Sequence, residues 1–383
     1  MDDKFTPFVQ KVFEQAFPSR NEYRIHCEAN QTPRFVMRDS NVRFVESSYW
    51  GSAALKKELL DYDCLVVNYM HPYFMEGIAS SHSDMLVVWV GWGGDYCNLI
   101  APYLGNLLLD DTRKLTESPK SRLWTRKIQK LAFSPIAELR YYIKKLGARQ
   151  VHDVIDQIDL ICVNPQEICF IEKALPGFKG GFHNMSHYSA EETFAVGPDK
   201  MSGPDLLLGN SASATNNHLE LFNLLTKLDL GNRKLIAPLN YGDDYYADEI
   251  SRIGFKYFGD RFMPIRSFMP IDEYHESIST CGTVLMNHVR QQAGTTIATA
   301  LYKGAKVYLR NENPLTTFYR NMGVRLYSIQ GDLSEGKGSF LPLSASDIMC
   351  NKVILAKYWG HEQAVSNVLS LAGYLEEKRD ASW

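Results

Sequence analysis

Two doubly wound α/β domains are what this sequence predicts, and three observations carry the prediction. From Asp205 onward, short and almost wholly apolar runs alternate with stretches whose apolar residues recur at i, i+3 and i+4. Comparable apolar runs in the first half end in polar or glycine-rich residues. The length, 383 residues, is too great for one compact core and ample for two. Apolar runs joined by amphipathic helices signal βαβ units and a parallel sheet covered on both faces.

In chain order, YRIHCE (23–28) and RFVM (34–37) read as strands or a hairpin. CLVVNYM (64–70), MLVVWVGW (85–92) and DLICVN (159–164) read as buried parallel strands. VGPDKMSGPD (196–205), rich in Gly, Pro and charge, reads as the interdomain linker. Beyond it the strands are DLLLGN (205–210), KLIAPLN (234–240), GFKYF (254–258), TVLMNH (283–288), KVYLRN (306–311) and VRLYSI (324–329). Helices fill the intervals at 216–228, 245–253, 271–280, 295–303 and 314–322. Asp272 is placed to cap the third of these, and Gly304 follows the fourth where a terminating glycine belongs. The expected domains are 1–197 and 204–350, with a helical tail at 351–383 returning toward the first.

Composition excludes several classes. Hydrophobic residues are 45% and charged residues 22%, values of an ordinary globular chain. Lys+Arg 41 against Asp+Glu 44 gives a net charge of −3, so no nucleic-acid partner is expected. The 7 cysteines include no CxxC pair and read as reduced thiols. The acidic, amphipathic start does not read as a secretory signal. The apolar runs fall far short of the roughly 20 residues a spanning helix needs. A cytoplasmic protein, soluble or peripheral, is the expectation.

Two polar loops at strand ends suit a diphosphate. Arg290-Gln291-Gln292-Ala293-Gly294-Thr295-Thr296 leads from one strand into a helix. Gly294 would let a ligand approach, and the N–H groups of Thr295, Thr296 and Ile297 would attract an anion. Arg290 adds a forked donor. The bland alternative is a turn with threonine caps. The second loop, Gly209-Asn210-Ser211 through Thr215, Asn216 and His218, is small and rich in hydrogen-bonding groups. There Asn216 or Thr215 could equally cap the next helix, and His218 could be structural. No GxGxxG follows a strand and no GxxxxGK[ST] occurs, which disfavours dinucleotide oxidoreductases and P-loop NTPases.

In the first half, an apolar strand runs into Trp92-Gly93-Gly94-Asp95-Tyr96. A carboxylate among aromatic rings suits sugar binding, and Asp95 is a candidate general base, with a helix cap as its other reading. Residues 113–149 carry eleven Lys/Arg against two Glu, interleaved with apolar residues including Trp124. That pattern fits an anionic membrane surface or a solvated basic face. No residues at ligand spacing suggest a protein-held metal.

A diphosphate site in one α/β domain and a glycine-rich carboxylate loop in the other describe a GT-B glycosyltransferase, two Rossmann-like domains facing across a cleft. At this level the chain resembles the TDP-4-acetamido-4,6-dideoxygalactose:lipid II transferase family, glycosyltransferase family 56, of 4-alpha-L-fucosyltransferase type. The resemblance rests on Trp92-Gly93-Gly94-Asp95-Tyr96, on Gly209-Asn210-Ser211 with Asn216 and His218, and on Pro238 to Tyr241. Arg290-Gln291-Gln292 and Asn311-Glu312-Asn313-Pro314 complete it. It covers about 205–325 and, earlier, mainly 86–96.

The resemblance implies transfer of a deoxyamino sugar from a TDP- or UDP-sugar to a polyprenyl-diphosphate-linked or other glycan acceptor. No metal or other cofactor is expected. Arg290, Asn210, Ser211 and the helix N-terminus would neutralise the leaving diphosphate, and Tyr241 would line the base pocket. Glu312 and Asn313 would hold sugar or ribose hydroxyls, while Trp92, Gly93, Gly94 and Tyr96 would meet the acceptor. Asp95 would deprotonate the acceptor if the anomeric centre inverts and orient it otherwise. The expected place is the inner face of the cytoplasmic membrane, reached through 113–149, in surface-polysaccharide synthesis. A sugar-nucleotide epimerase and a non-catalytic scaffold stand as alternatives.

Overall fold

Strand pairing is parallel throughout the three sheets of the computed structural model, which describes residues 2–100, 103, 105–117, 153–334 and 340–381. The chain forms two units. The first takes residues up to Tyr103, 153–189 and the segment from His361; the second takes 105–117 and Ala190–Gly360. Among the described residues no helix is long and apolar enough to cross a membrane.

In the first unit β1 (Tyr23–His26) pairs with β2 (Val42–Val45). A second sheet holds β3 (Cys64–Asn68), β4 (Leu86–Val90), β5 (Leu160–Cys162) and β6 (Gly181–His183) in sequence order. All five residues of β4 are buried, which explains its unbroken apolar run. The helix Thr6–Ala16 lays Phe8, Val12 and Phe13 against this sheet together with Ala364, Val368 and Leu371 of the C-terminal helices.

The second unit carries β7 (Leu206–Leu208), β8 (Leu235–Pro238), β9 (Phe262–Ile265), β10 (Thr283–Met286), β11 (Lys306–Leu309) and β12 (Tyr327–Ser328). Their order across the sheet is β12-β11-β10-β7-β8-β9. Successive strands step one way from β7 to β9 and the other way from β10 to β12, so the direction reverses between β7 and β10. That is the doubly wound arrangement with its switch point. Asp243 caps the helix Asp244–Phe258 by accepting from the Tyr246 N–H at 2.7 Å. Gly304, at φ +89°, ends the helix Gly294–Tyr302.

Several expected elements differ. GFKYF is the last turn of the helix Asp244–Phe258, not a strand. Its aromatic residues suggested β-structure, but Phe255 and Tyr257 face solvent while Ile250, Gly254 and Phe258 are buried, a helical spacing. RFVM forms no strand, because the N–H groups of Arg34, Phe35 and Val36 donate to the Asp2 carboxylate instead of a ladder. Asp272 lies inside the first turn of the helix Ile271–Ile278, whose cap position is Pro270.

The glycine-rich 196–205 stretch belongs to the second unit. Lys303 Nζ donates to Val196 O and to Pro198 O at 2.7 Å, and the Met201 N–H donates to Lys303 O at 3.0 Å. The chain passes between units at Ser189–Ala190 and at Gly360–His361, instead of at 197–204 and 350–351. Residues 105–117, expected in the first domain, dock in the second through three side chains of the helix His218–Leu225 and the residue before it. Asn217 holds Leu107 and Leu109, Glu220 accepts from the N–H groups of Asp111 and Thr112, and Asn223 donates to Asp111.

Gly254 offers a direct test of the helix–sheet packing. A Cβ there would lie 2.5 Å from the Phe262 ring, which is itself wedged edge-on against Phe222 and Phe255. Helix propensity alone would make Gly254→Ala stabilising by about 1 kcal/mol. Overpacking costs about 1–3 kcal/mol and outweighs it. The urea midpoint of the variant is therefore expected to fall.

Candidate functional site

At the switch point the loops after β7 and β10 leave the sheet side by side, and doubly wound folds bind ligands in this crevice. Gly209 turns the chain out of β7 at φ +67°, and a Cβ would sit 2.5 Å from Asn216 Oδ1. Only glycine fits. Asn216 is buried and every polar atom of its amide is used. Its Oδ1 accepts from the Asn210 N–H at 3.0 Å and from His288 Nε2 at 2.7 Å. Its Nδ2 faces Ser211 O, Ser211 Oγ and Ser213 O at 3.0–3.2 Å.

The loop after β10 is tied to the same frame. Gln292 donates from Nε2 to Asn210 Oδ1 at 2.9 Å and accepts from Thr215 Oγ1 at 2.6 Å. Asn210 in turn donates to the Tyr241 hydroxyl at 2.8 Å. Asn217 and Asn287 exchange side-chain amides for each other's carbonyls at 3.2 and 2.9 Å. Asn210, Ser211, Tyr241 and Gln292, from three separate loops, thus meet in one hydrogen-bonded cluster. Tyr241 keeps 60% of its surface exposed.

The helix Gly294–Tyr302 begins one residue earlier than expected, and its left-handed entry falls on Ala293 at φ +59°, not on Gly294. The Ile297 N–H is already spent on Ala293 O at 2.9 Å. The N–H groups preceding the helical ladder are therefore those of Gly294, Thr295 and Thr296, a shift from the expected set. Among the described residues, no side chain caps this terminus. A non-glycine residue in the left-handed region costs roughly 1–2 kcal/mol, strain of a kind that gathers at ligand clamps. Arg290 is half-buried and donates to Gln291 O at 3.0 Å, and Gln291 Nε2 lies against Gly294.

Asn313 caps the helix Pro314–Asn321 and donates to His288 O and Arg290 O at 3.2 and 3.0 Å. Its amide is committed to holding the 288–290 turn. Glu312 accepts from Arg310 at 2.8 Å and from Gln330 at 2.5 Å. Partial burial pushes its carboxyl up, but Arg310, its own backbone N–H and Gln330 together outweigh burial and hold it below the usual range. His218 does not reach the surface: it is buried, 3.1 Å from the Tyr246 hydroxyl, and burial pushes it down to about 4. Burial also pushes His288 down to about 3. Neither Asn216 nor Thr215 caps the helix His218–Leu225; Asn217 stands there at φ +50° without a capping bond.

His288, Asn287, Asn217, Arg310 and Gln330 were not singled out from the sequence. One signal was available, since a buried apolar strand run that ends Asn-His carries two polar side chains to the carboxyl edge of a sheet.

In the first unit, Asp95 closes the glycine loop after β4. Its Oδ2 accepts from the Met70 N–H and Trp89 Nε1, and its Oδ1 from the Trp92 N–H, each at 2.9 Å. Burial pushes its carboxyl up, against the lowering effect of those donors. Trp92 donates from Nε1 to Asn68 at 2.9 Å, stacks on His187 and meets Phe5 edge-on. Tyr96 is buried with its hydroxyl 2.7 Å from Glu167, a strut beneath the loop. Gly94 is exposed beside Tyr69. Residues 118–149 of the basic segment lie outside the described residues. Among the described residues, no group of three or more His, Cys, Asp or Glu is placed to hold a metal.

Residues 141–336 match the family described as 4-alpha-L-fucosyltransferase glycosyl transferase group 56. Among solved structures, Anabaena Alr3699/HepE in complex with UDP and glucose is similar over 98% of this chain and 97% of its own, with 11% identity and a TM-score of 0.56. An α,α-trehalose-phosphate synthase (UDP-forming) from Burkholderia xenovorans, in complex with glucose-6-phosphate, matches 97% of this chain and 95% of its own. Its identity is 8% and its TM-score 0.54. Sucrose-phosphate synthase from Thermosynechococcus elongatus matches 98% and 94%, at 11% identity and a TM-score of 0.51. At such identities the likeness is one of fold, the GT-B fold.

The two buried histidines make stability depend on pH. Both are neutral when folded, so between pH 6.5 and their lowered values the unfolded chain binds protons the folded chain does not. Their contribution is complete above pH 6.5 and is lost as pH falls toward 4, by about 1 kcal/mol per pH unit for each. His288→Gln keeps an N–H for Asn216 and does not titrate. Urea unfolding of this variant from pH 7 to pH 4 is expected to lose one histidine's share of the slope.

Proposed function

The chain belongs to the glycosyltransferase group 56 family, and on that premise we propose that it moves a deoxyamino hexose from a TDP- or UDP-sugar to a lipid-linked glycan acceptor. It is a glycosyltransferase, which displaces the epimerase and scaffold readings. The observation that carries the donor side is the cluster at the switch point of the second unit. There an uncapped helix N-terminus at Gly294 adjoins Arg290, Ser211 and the Asn210–Gln292 clamp. Such a terminus attracts a diphosphate, and a UDP complex of the similarly folded Anabaena protein supports a nucleotide ligand.

In the transfer, the acceptor hydroxyl oxygen forms a bond to the anomeric carbon as the bond from that carbon to the diphosphate oxygen breaks. Negative charge grows on the leaving diphosphate. The Gly294, Thr295 and Thr296 N–H groups and the Arg290 guanidinium are set to receive it, so the reaction needs no metal ion. Tyr241, exposed beside the clamp, offers its ring to the base. Glu312 and Arg310 form a polar edge for sugar or ribose hydroxyls.

Asp95 takes the acceptor's proton in a transfer with inversion. Burial favours this by raising its affinity for a proton. Retention of configuration would leave Asp95 the task of orienting the acceptor, and the anomer of the product distinguishes the two. The acceptor's lipid and the deoxyamino sugar rest on the likeness of the quoted motifs to the family.

Asp95→Asn is expected to lower kcat by about 10²–10⁴-fold while leaving UDP or TDP affinity unchanged. Arg290→Ala is expected to weaken nucleotide binding about tenfold or more, as loss of one charge-assisted contact does. Calorimetric titration with and without EDTA, alongside turnover, reads both. Loss of nucleotide binding in EDTA would overturn the metal-free donor site.

A further inference from the structure

The loop between β1 and β2 has an unusual surface. Of residues 31–40 only Val36 is buried, while Phe35 on one side of it is 46% exposed and Met37 on the other 85% exposed. Arg34 and Arg38 flank this pair and are exposed, as is Arg43 in β2, whose guanidinium lies 3.9 Å from Glu58 and over the Tyr49 ring. Three arginines against Asp39 leave the stretch 34–43 cationic in a chain whose net charge is −3.

The loop is held in this attitude. The Asp2 carboxylate accepts the N–H groups of Arg34, Phe35 at 3.0 Å and Val36 at 2.8 Å, and Val36 anchors the strip from below. With the backbone fixed and Val36 buried, its neighbours Phe35 and Met37 both stand exposed. Two large apolar side chains are thus displayed to water by a bound backbone, with guanidinium groups around them. Apolar residues to enter the acyl boundary and cations to meet lipid phosphates are the two components of interfacial membrane binding.

The same few residues connect this strip to the Asp95 loop. After Asp2, the Phe5 N–H donates to Asp3 Oδ1 at 3.1 Å, and the Phe5 ring packs edge-on against Trp92 at 5.4 Å. The exposed strip and the loop assigned to the acceptor are therefore braced by one N-terminal turn of the first unit.

We propose that the Arg34–Arg38 strip, with Arg43, docks the first unit on an anionic phospholipid surface and so presents the Trp92–Asp95 loop to a lipid-linked acceptor. The second half of this statement rests on the acceptor proposed above; the docking itself does not. A basic residue contributes affinity only when the lipid is anionic, and the apolar pair contributes only if it inserts.

The test is co-sedimentation of the full chain with vesicles of pure phosphatidylcholine and of phosphatidylcholine containing phosphatidylglycerol. Nucleotide titration checks that every variant is folded. The parent chain is expected to bind the anionic vesicles at least tenfold more tightly, and to be released by salt. Phe35→Asp with Met37→Asp should weaken that binding at least tenfold, and Arg34→Glu with Arg38→Glu should remove the preference for anionic lipid. Turnover on a water-soluble acceptor should be unchanged in both. Anionic binding undiminished in the double variants would assign the membrane contact to another surface, such as the basic segment, and overturn the proposal. Failure of the parent chain to bind either vesicle overturns it as well. The acceptor reading fails separately, if vesicle binding holds while a lipid-linked acceptor is turned over no better than a soluble one.

Discussion

The amide of Asn216 is the contact on which the candidate donor site depends. Its oxygen takes the Asn210 N–H and His288 Nε2, and its nitrogen faces three oxygens of the 211–213 turn. An amide so placed cannot rotate without leaving buried groups unpaired, and each such group costs about 1–3 kcal/mol. It follows that His288 carries its proton on Nε2, that Gly209 admits no side chain, and that Asn210 points toward Gln292 and Tyr241. One saturated side chain sets the positions of two loops that come from distant stretches of sequence.

The first unit uses the same device with a charge. Asp95 gathers a side-chain N–H from β4 and backbone N–H groups from the segments after β3 and β4. Charge-assisted bonds are the stronger kind, so three of them can hold a loop made largely of glycine. A group that holds a loop and a group that takes a proton need not be different. The opposed effects of burial and N–H donors on its carboxyl express the two demands.

The places where expectation and structure part share one cause, hydrogen-bond partners invisible along the chain. RFVM alternates as a strand should, yet its N–H groups belong to Asp2, some thirty residues earlier. The 196–205 stretch has the composition of a linker, yet Lys303 binds its carbonyls and draws it into the second unit. GFKYF fails differently. Aromatic residues fit a strand as well as a helix surface, and the deciding fact is that Gly254 must pass the Phe262 ring closely.

By itself the sequence determined the α/β class, the strands of the second unit apart from β9, and the two polar loops at their carboxyl ends. Those follow from periodicity and from where apolar runs stop, both local properties. It also marked Asp95, Asn210, Ser211, Gln292 and Arg290 by residue type and by likeness to a family. Tertiary structure alone decided that β7 lies beside β10, which makes two loops seventy residues apart into one crevice. It placed His218 in the core, brought in His288 and Asn287, and moved the free helix N–H groups to Gly294–Thr296. The reason is physical: periodicity reports which face of an element is buried, whereas the partner of a buried polar group is chosen by whatever the fold brings within hydrogen-bonding distance.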